Sequence, residues 1–159
     1  MNGMASEGTP WLSAEQQRHW RSYLSGMTVL NDQLDRDLRD AHGLSLPEYE
    51  ILVRLSESPR RRLRMAELAV ELAHSRSRIT HTIGRLEKAH LVERQPCEAD
   101  GRGIEAVMTD KGFEALKVAA HTHVTGVHNY LVASTTPEQL AAIGDVFDKV
   151  AARLGGTRF

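Results

Sequence analysis

Residues 65–109 read MAELAVELAHSRSRITHTIGRLEKAHLVERQPCEADGRGIEAVMT, and this stretch decides the fold. Its start predicts a short helix over roughly 65–73, carrying Leu68, Val70 and Leu72. A break at His74 and Ser75 precedes a second helix from about Arg76 to Ala89. In that second helix Ile79, Ile83 and Leu86 recur at steps of four and three, which marks one buried face. Ser77, Arg78, His81 and Arg85 fall on or beside the outward face. Two strand-like segments follow, Leu91–Arg94 and Ile104–Thr109. Between them lies Pro96-Cys97-Glu98-Ala99-Asp100-Gly101-Arg102-Gly103, rich in turn formers, so the pair predicts a hairpin with a long tip.

On the N-terminal side, Ser13 and Gln16 have capping-box spacing. Trp20, Tyr23, Leu24, Met27, Leu30, Leu34, Leu38 and Ala41 then form one stripe of a long helix that Gly43 stops. Ser45 with Glu48 opens another helix, which tolerates Pro47 in its first turn and ends before Pro59. On the C-terminal side, Thr109 caps a helix whose stripe is Phe113, Leu116, Ala120, Val124, Val127 and Leu131. Thr136, Pro137 and Gln139 start the last helix. There Leu140, Ile143, Phe147, Val150 and Leu154 step by three and four, as a helix-packing seam does. The fold class expected is mainly α with a small β-hairpin wing. Residues 1–43 read as an N-terminal arm and long helix, 44–110 as a winged helix-turn-helix lobe, and 111–159 as C-terminal helices.

Composition narrows the function classes. Leu, Ile, Val and Phe make up 23% of the 159 residues, above the roughly 20% floor for a chain that builds a core. One cysteine excludes an intrachain disulfide framework and a multi-cysteine metal cage. Residues 118–137 lack Asp, Glu, Lys and Arg, but too few of them are apolar for a membrane span, which needs ~20 mostly apolar residues. A soluble, cytoplasmic protein without a membrane partner is expected. The net charge of −1 conceals a division. Between Arg60 and Arg102 ten basic residues meet six acids, and nine of the ten are arginines, whose planar fork suits phosphates and guanine edges. A basic middle between acidic flanks suggests a polyanion-binding segment.

Two short helices with a tight break, then a hairpin, describe a winged helix-turn-helix. In that motif the second helix enters the DNA major groove and the hairpin tip reaches the backbone or the neighbouring minor groove. Ser77, Arg78, His81 and Arg85 are therefore candidates for base or phosphate contact, with Ser75 and Arg76 near the backbone.

At this point the sequence resembles the MarR family of bacterial transcriptional regulators. The resemblance rests on Met65-Ala-Glu-Leu-Ala69, Ser75-Arg-Ser-Arg-Ile-Thr80, Arg85-Leu-Glu-Lys88, Leu91-Val-Glu-Arg94, Asp100-Gly-Arg102 and Thr109-Asp-Lys-Gly112, in order from about 45 to 116. It implies a homodimer held by helices from both chain ends, a pseudo-palindromic double-stranded DNA operator, and release by a small-molecule effector, with repression as the expected sense. It also implies that Asp100 and Arg102 match the family's wing signature, the arginine entering the minor groove while the aspartate holds the wing. Two departures stand out. His90 occupies the place of a usual glycine, so that turn is expected to be strained or differently capped. Gly101 and Gly103 flank Arg102 where more basic or polar residues are common.

Trp20, Tyr23, Met27, Tyr49 and His123 are candidates for an aromatic or phenolic effector pocket, against the plainer reading of a core stripe. Leu140, Ile143, Phe147 and Val150 are candidates for the dimer contact. His121, His123 and His128 raise a zinc-sensing alternative and, in a different class, a small metal-dependent enzyme. Helix geometry opposes both, because positions 121 and 123 are ~200° apart and positions 121 and 128 are ~10 Å apart along the axis. Cys97 sits in the wing arm, beside nothing that obviously depresses a thiol pKa. No nucleophile elbow, HExxH or phosphate loop is present, so no catalytic residue, metal ligand or cofactor is assigned.

Overall fold

The structure is a computed structural model, and it describes residues 8–97 and 101–155. Helix α1 spans Ala14–His42, and Ser13 caps it through the expected reciprocal bonds with Gln16. Gly43 ends it in the left-handed conformation, φ 67°, which a side chain would resist. Helix α2, Leu46–Glu57, starts with the Ser45–Glu48 capping box. Strand β1, Arg62–Arg64, leads into α3, Met65–Glu71, and α4, Arg76–Lys88. Strands β2, Val92–Pro96, and β3, Ile104–Met108, form the hairpin. Helices α5, Asp110–Tyr130, and α6, Pro137–Leu154, complete the chain, capped by Thr109 and Thr136 as their sequences predict. The protein is thus mainly α with a small antiparallel sheet.

The core joins α2, α3, α4, the hairpin and α5. Leu38, Ile51, Leu52, Leu55, Leu68, Ile79, Ile83, Leu86 and Val92 are almost wholly enclosed. Each such side chain contributes roughly 1.5–3 kcal/mol by leaving water. α1 joins this core only through its C-terminal half, where Leu34 and Leu38 are buried. α6 buries no residue at all.

The wing differs from the expected two-stranded hairpin. The sheet has three strands in the order β1-β3-β2, with Leu63 opposite Ala106 and Arg94 opposite Ala106 on the other side. A three-residue Arg-Leu-Arg segment carries no readable alternation. Its strand state comes from pairing with β3, reinforced by Arg62 Nη1 on the Glu105 carboxylate at 3.4 Å. The chain reaches β1 through a tight 3-10 turn, Pro59–Arg61, in which Arg60 and Arg61 adopt φ values of 55° and 53°. That unfavourable backbone is held where the Arg61 guanidinium lies 3.7 Å from the centre of the Phe113 ring and bonds Asp110 at 3.3 Å.

Helix α3 ends at Glu71, short of the expected 73, because Ala73 turns left-handed, φ 50°, to redirect the chain into α4. At the other end of α4, His90 takes φ 60°, the strained conformation its position predicts. The turn is closed by His90 N–H on Glu87 O and Leu91 N–H on Leu86 O, while Lys111 Nζ and Thr109 Oγ1 donate to the carbonyls of Ala89 and His90. The His90 conformation thus rests on a dense set of bonds rather than on glycine.

Gly112, at the start of α5, permits a close backbone approach. A Cβ there would lie 2.1 Å from the Leu91 carbonyl oxygen, a backbone atom between α4 and β2 that cannot swing aside. Gly112→Ala is predicted to lower stability by at least about 2–3 kcal/mol, the upper range for overpacking, as a fall in the urea midpoint at unchanged m-value.

Candidate nucleic-acid interface

Helix α4 stands on the core by Ile79, Ile83 and Leu86, and its remaining surface is polar and cationic. Ser75 caps it by accepting from the Arg78 amide at 3.2 Å. Ser75, Arg76, Ser77, Arg78 and His81 are all exposed. Arg78, His81 and Arg85 share one side, since seven residues bring a helix back to nearly the same direction ~10 Å further on. No acidic residue lies in the first turn.

The charge division seen in the sequence resolves into two populations. Arg61, Arg62, Arg85 and Arg94 each meet a carboxylate, at Asp110, Glu105, Glu48 and Glu87 respectively. Arg94 further ties the wing to α4 by donating from Nη2 to the Thr80 carbonyl at 2.7 Å. These four arginines knit the lobe together, whereas Arg76 and Arg78 stand on its outer surface. Arg85 qualifies the expectation of a simple outward-facing contact. Its Nε lies 2.8 Å from Oε1 of buried Glu48, although nearly half of its side chain remains exposed.

The wing strands place Arg102 at an exposed tip between Gly101, φ 62°, and Gly103. Cys97 is buried where the strands give way to the tip, with its N–H on the Gly103 carbonyl at 2.8 Å and its Sγ 3.4 Å from Glu105 Oε1. Asp100, the other predicted wing residue, lies outside the described residues.

The five aromatic, methionine and histidine candidates do not share one pocket. Trp20 stacks on Tyr23 with centroids 5.6 Å apart, and Tyr23 meets Phe147 of α6 at 5.1 Å. Tyr23 and Met27 line a groove of about 530 Å³ with Leu30, Gln33, Tyr130 and Leu131. Trp20 faces a second depression beside Trp11, Leu12 and Leu24. Tyr49 instead contacts His123 at 4.5 Å, in a separate cavity of about 260 Å³ with Glu50, Val53, Arg54 and Leu72. The separation follows from packing, because Trp20, Tyr23 and Met27 lie on the half of α1 that leaves the core.

Three groups with shifted titration, Tyr49, Glu50 and His123, line the smaller cavity. Burial lowers the His123 pKa, and its Nδ1 is enclosed without a hydrogen-bond partner. Burial, then the positive charge of Arg78, lowers that of His74, whose Nε2 faces Glu50 at 4.0 Å. Glu50 is pushed up by burial, against the opposing pull of Arg78 and Arg54. The three histidines of the zinc alternative point to different surroundings. His121 borders a groove with Asp37, His123 packs on Tyr49, and His128 lies beside Asn129. Among the described residues no group of three or more His, Cys, Asp or Glu side chains is placed to hold a metal ion.

A core-anchored helix with an exposed Ser-Arg-Ser-Arg-x-x-His surface, set beside a β-wing, defines a winged helix-turn-helix DNA-binding protein. Comparison with known proteins agrees. A model of the MarR family matches residues 42–103. Sco3205, a MarR family transcriptional regulator from Streptomyces coelicolor crystallised in complex with DNA, is 45% identical. That match covers 91% of this chain and 94% of Sco3205, with a TM-score of 0.86. AbsC, a MarR family transcriptional regulator from the same organism, is 40% identical over 94% of this chain and 100% of its own, also at a TM-score of 0.86. The HTH-type transcriptional regulator PecS of Dickeya dadantii (strain 3937) is 28% identical over 113 residues, spanning 68% of this chain and 66% of PecS. This chain belongs to the MarR family and is a DNA-binding transcriptional regulator. All three relatives are named as transcriptional regulators. No helix among the described residues is long and apolar enough to cross a membrane.

The lowered His123 and His74 values give a signed pH dependence. Each neutral ring favours the fold, so this contribution is complete above the ordinary histidine value of 6.5 and is lost as pH falls through the lowered folded value. Glu50 acts in the opposite sense: its contribution is complete below the ordinary value of 4.5 and is lost as pH rises through the raised folded value. Wild-type stability is predicted to fall between pH 7 and 5, and His123→Gln is predicted to flatten the fall by up to about 1.4 kcal/mol per pH unit. Urea titrations across that range measure the difference.

Proposed function

We propose that this regulator is a repressor that binds a pseudo-palindromic operator as a homodimer and is released by a small, largely apolar effector. The observation that carries the reading is the orientation of α4, apolar side inward and Arg78 and His81 outward, on a lobe whose other arginines are largely committed to internal ion pairs. Ser77, Arg78, His81 and Arg85 take base or phosphate contacts, with Ser75 and Arg76 at the backbone. Arg102, with Asp100, serves the wing contact. The lobe at 44–110 reads DNA, the chain ends at 1–43 and 111–159 dimerise, and the protein acts in the cytoplasm.

Dimerisation is supported by what the protomer leaves uncovered. Trp20 and Leu24 of α1 and Ile143, Phe147 and Val150 of α6 are exposed, and Leu140 is only partly covered. The Tyr23–Phe147 contact joins the two helices. A monomer has little reason to present so large an apolar surface to water. Two copies would then set their α4 helices about one DNA turn, ~34 Å, apart. The effector reading is supported by the groove between α1 and α5, apolar except for groups such as Gln33 and the Tyr130 hydroxyl, as small-molecule sites generally are. Binding and release of phenolic and planar aromatic acids, scored by operator dissociation, test it.

Two outcomes are expected. On duplexes selected from a random pool, Arg78→Ala weakens specific binding by roughly 1–3 kcal/mol if it meets a base edge. If it meets only a phosphate, all sequences weaken alike and the salt slope drops by about one. Unchanged binding by both Arg78→Ala and Arg85→Ala removes α4 from the interface. Phe147→Glu is expected to give monomers by light scattering with the lobe still folded, and a stable dimer would move the contact elsewhere.

A further inference from the structure

Glu48 is an unusual place for a charge. It lies in the first turn of α2, only 4% exposed, beneath the recognition helix. Its two oxygens are divided between two tasks. Oε2 accepts from the Ser45 N–H at 2.7 Å and from the Ser45 hydroxyl at 2.8 Å, which accounts for the helix cap. Oε1 points to α4 and lies 2.8 Å from Arg85 Nε. A capping box needs a side chain that accepts from the cap residue, a role glutamine fills as well as glutamate. The negative charge is therefore explained by Arg85 rather than by the cap.

Arg85 is held by one edge only. Guanidinium carries five N–H donors in a rigid plane, so drawing Nε against a buried carboxylate restricts the directions open to the remaining four. With the side chain 46% exposed, and on the side of α4 shared with Arg78 and His81, part of that plane reaches solvent. An unsupported arginine loses several rotors on meeting a phosphate or a base, and one already clamped loses fewer. The clamp extends backward as well. Asp35 of α1 accepts from the Leu46 N–H at 2.7 Å and from Arg39 Nε at 2.6 Å, so α1 and the start of α2 share one network with α4. Burial pushes the Asp35 carboxyl up, but its bonds to Arg39 and Leu46, with the charges of Arg39 and Arg85, hold it below the usual carboxylate range.

We infer that Glu48 is a positioning residue for DNA binding: from inside the lobe it holds the Arg85 guanidinium by Nε and presents the outer edge to the DNA. The inference rests on the reading of α4 as the DNA-facing helix. It differs from the sequence expectation, in which Arg85 acts alone and Glu48 is only a cap.

The test is a double-mutant cycle in the full chain, with Glu48→Gln, Arg85→Gln and the pair, on duplexes selected from a random pool by the wild-type protein. Arg85→Gln should weaken binding about 5- to 100-fold, in the range of a lost arginine contact. Glu48→Gln should weaken it by a similar factor, and the pair should be no weaker than Arg85→Gln alone. If Glu48→Gln weakens binding as much in the Arg85→Gln background as in wild type, it acts through general destabilisation and the inference fails. If Glu48→Gln prevents folding by circular dichroism, Arg85→Lys decides. One ammonium can satisfy Glu48 but cannot also present a fixed outer edge, so it should bind as poorly as Arg85→Gln. Wild-type affinity in Arg85→Lys overturns the clamp. Arg78→Ala separates the two levels: loss there with none from Arg85→Gln sinks this inference alone, whereas no loss from either sinks the reading of α4.

Discussion

The lobe depends on one packing constraint, the burial of Ile79, Ile83 and Leu86 of α4 against the leucines of α2 and α3. Those three side chains are at most 1% exposed, and they set the rotation of α4 about its own axis. Once that rotation is set, the positions of Arg78 and His81 on the outside follow from helix geometry alone. The constraint also explains why left-handed residues at Ala73 and His90 are tolerated at the two ends. Each costs roughly 1–2 kcal/mol, less than the burial of even one or two large apolar side chains supplies.

Electrostatics then refines what packing establishes. Buried carboxylates such as Glu48 are stable only when paired and hydrogen-bonded, and Glu48 is both. Arg85, which answers Glu48, keeps its outer edge exposed, whereas the arginines paired elsewhere in the lobe are withdrawn from the pool available to a ligand. Arg61, Arg62 and Arg94 illustrate the same division at the β1 turn and the wing, where cation–π contact and ion pairs hold backbone that local preference would not. A count of basic residues therefore overstates the cationic surface of this lobe, and the part that remains is concentrated on α4.

The two ends of the molecule behave differently. α2 through the first half of α5 close around a shared core, while the first half of α1 and all of α6 carry apolar side chains that the protomer does not cover. This unequal burial also separates the aromatic residues into two neighbourhoods. Tyr49 and His123 belong to the enclosed lobe, and Tyr23 and Met27 to the open surface of α1.

The sequence by itself determined what is local. Capping boxes at Ser13, Ser45 and Thr136 act over three residues, Gly43 acts on its own backbone, and the spacing of Ile79, Ile83 and Leu86 follows one helix turn after another. All of these were legible because the interacting groups are neighbours along the chain. The strained turn at His90 was legible for the same reason, as a side chain standing where glycine is easiest. Tertiary structure decided the rest. Arg62–Arg64 became a strand only through pairing with β3, reinforced by the Arg62–Glu105 ion pair between residues 43 apart in the sequence. Arg85 meets Glu48 across two helices, and Arg61 meets Phe113 across the whole hairpin. Periodicity correctly placed Tyr23, Met27 and Tyr49 on apolar stripes but could not assign them to different cavities. A stripe states which side of a helix seeks cover, and only the packed chain states what covers it.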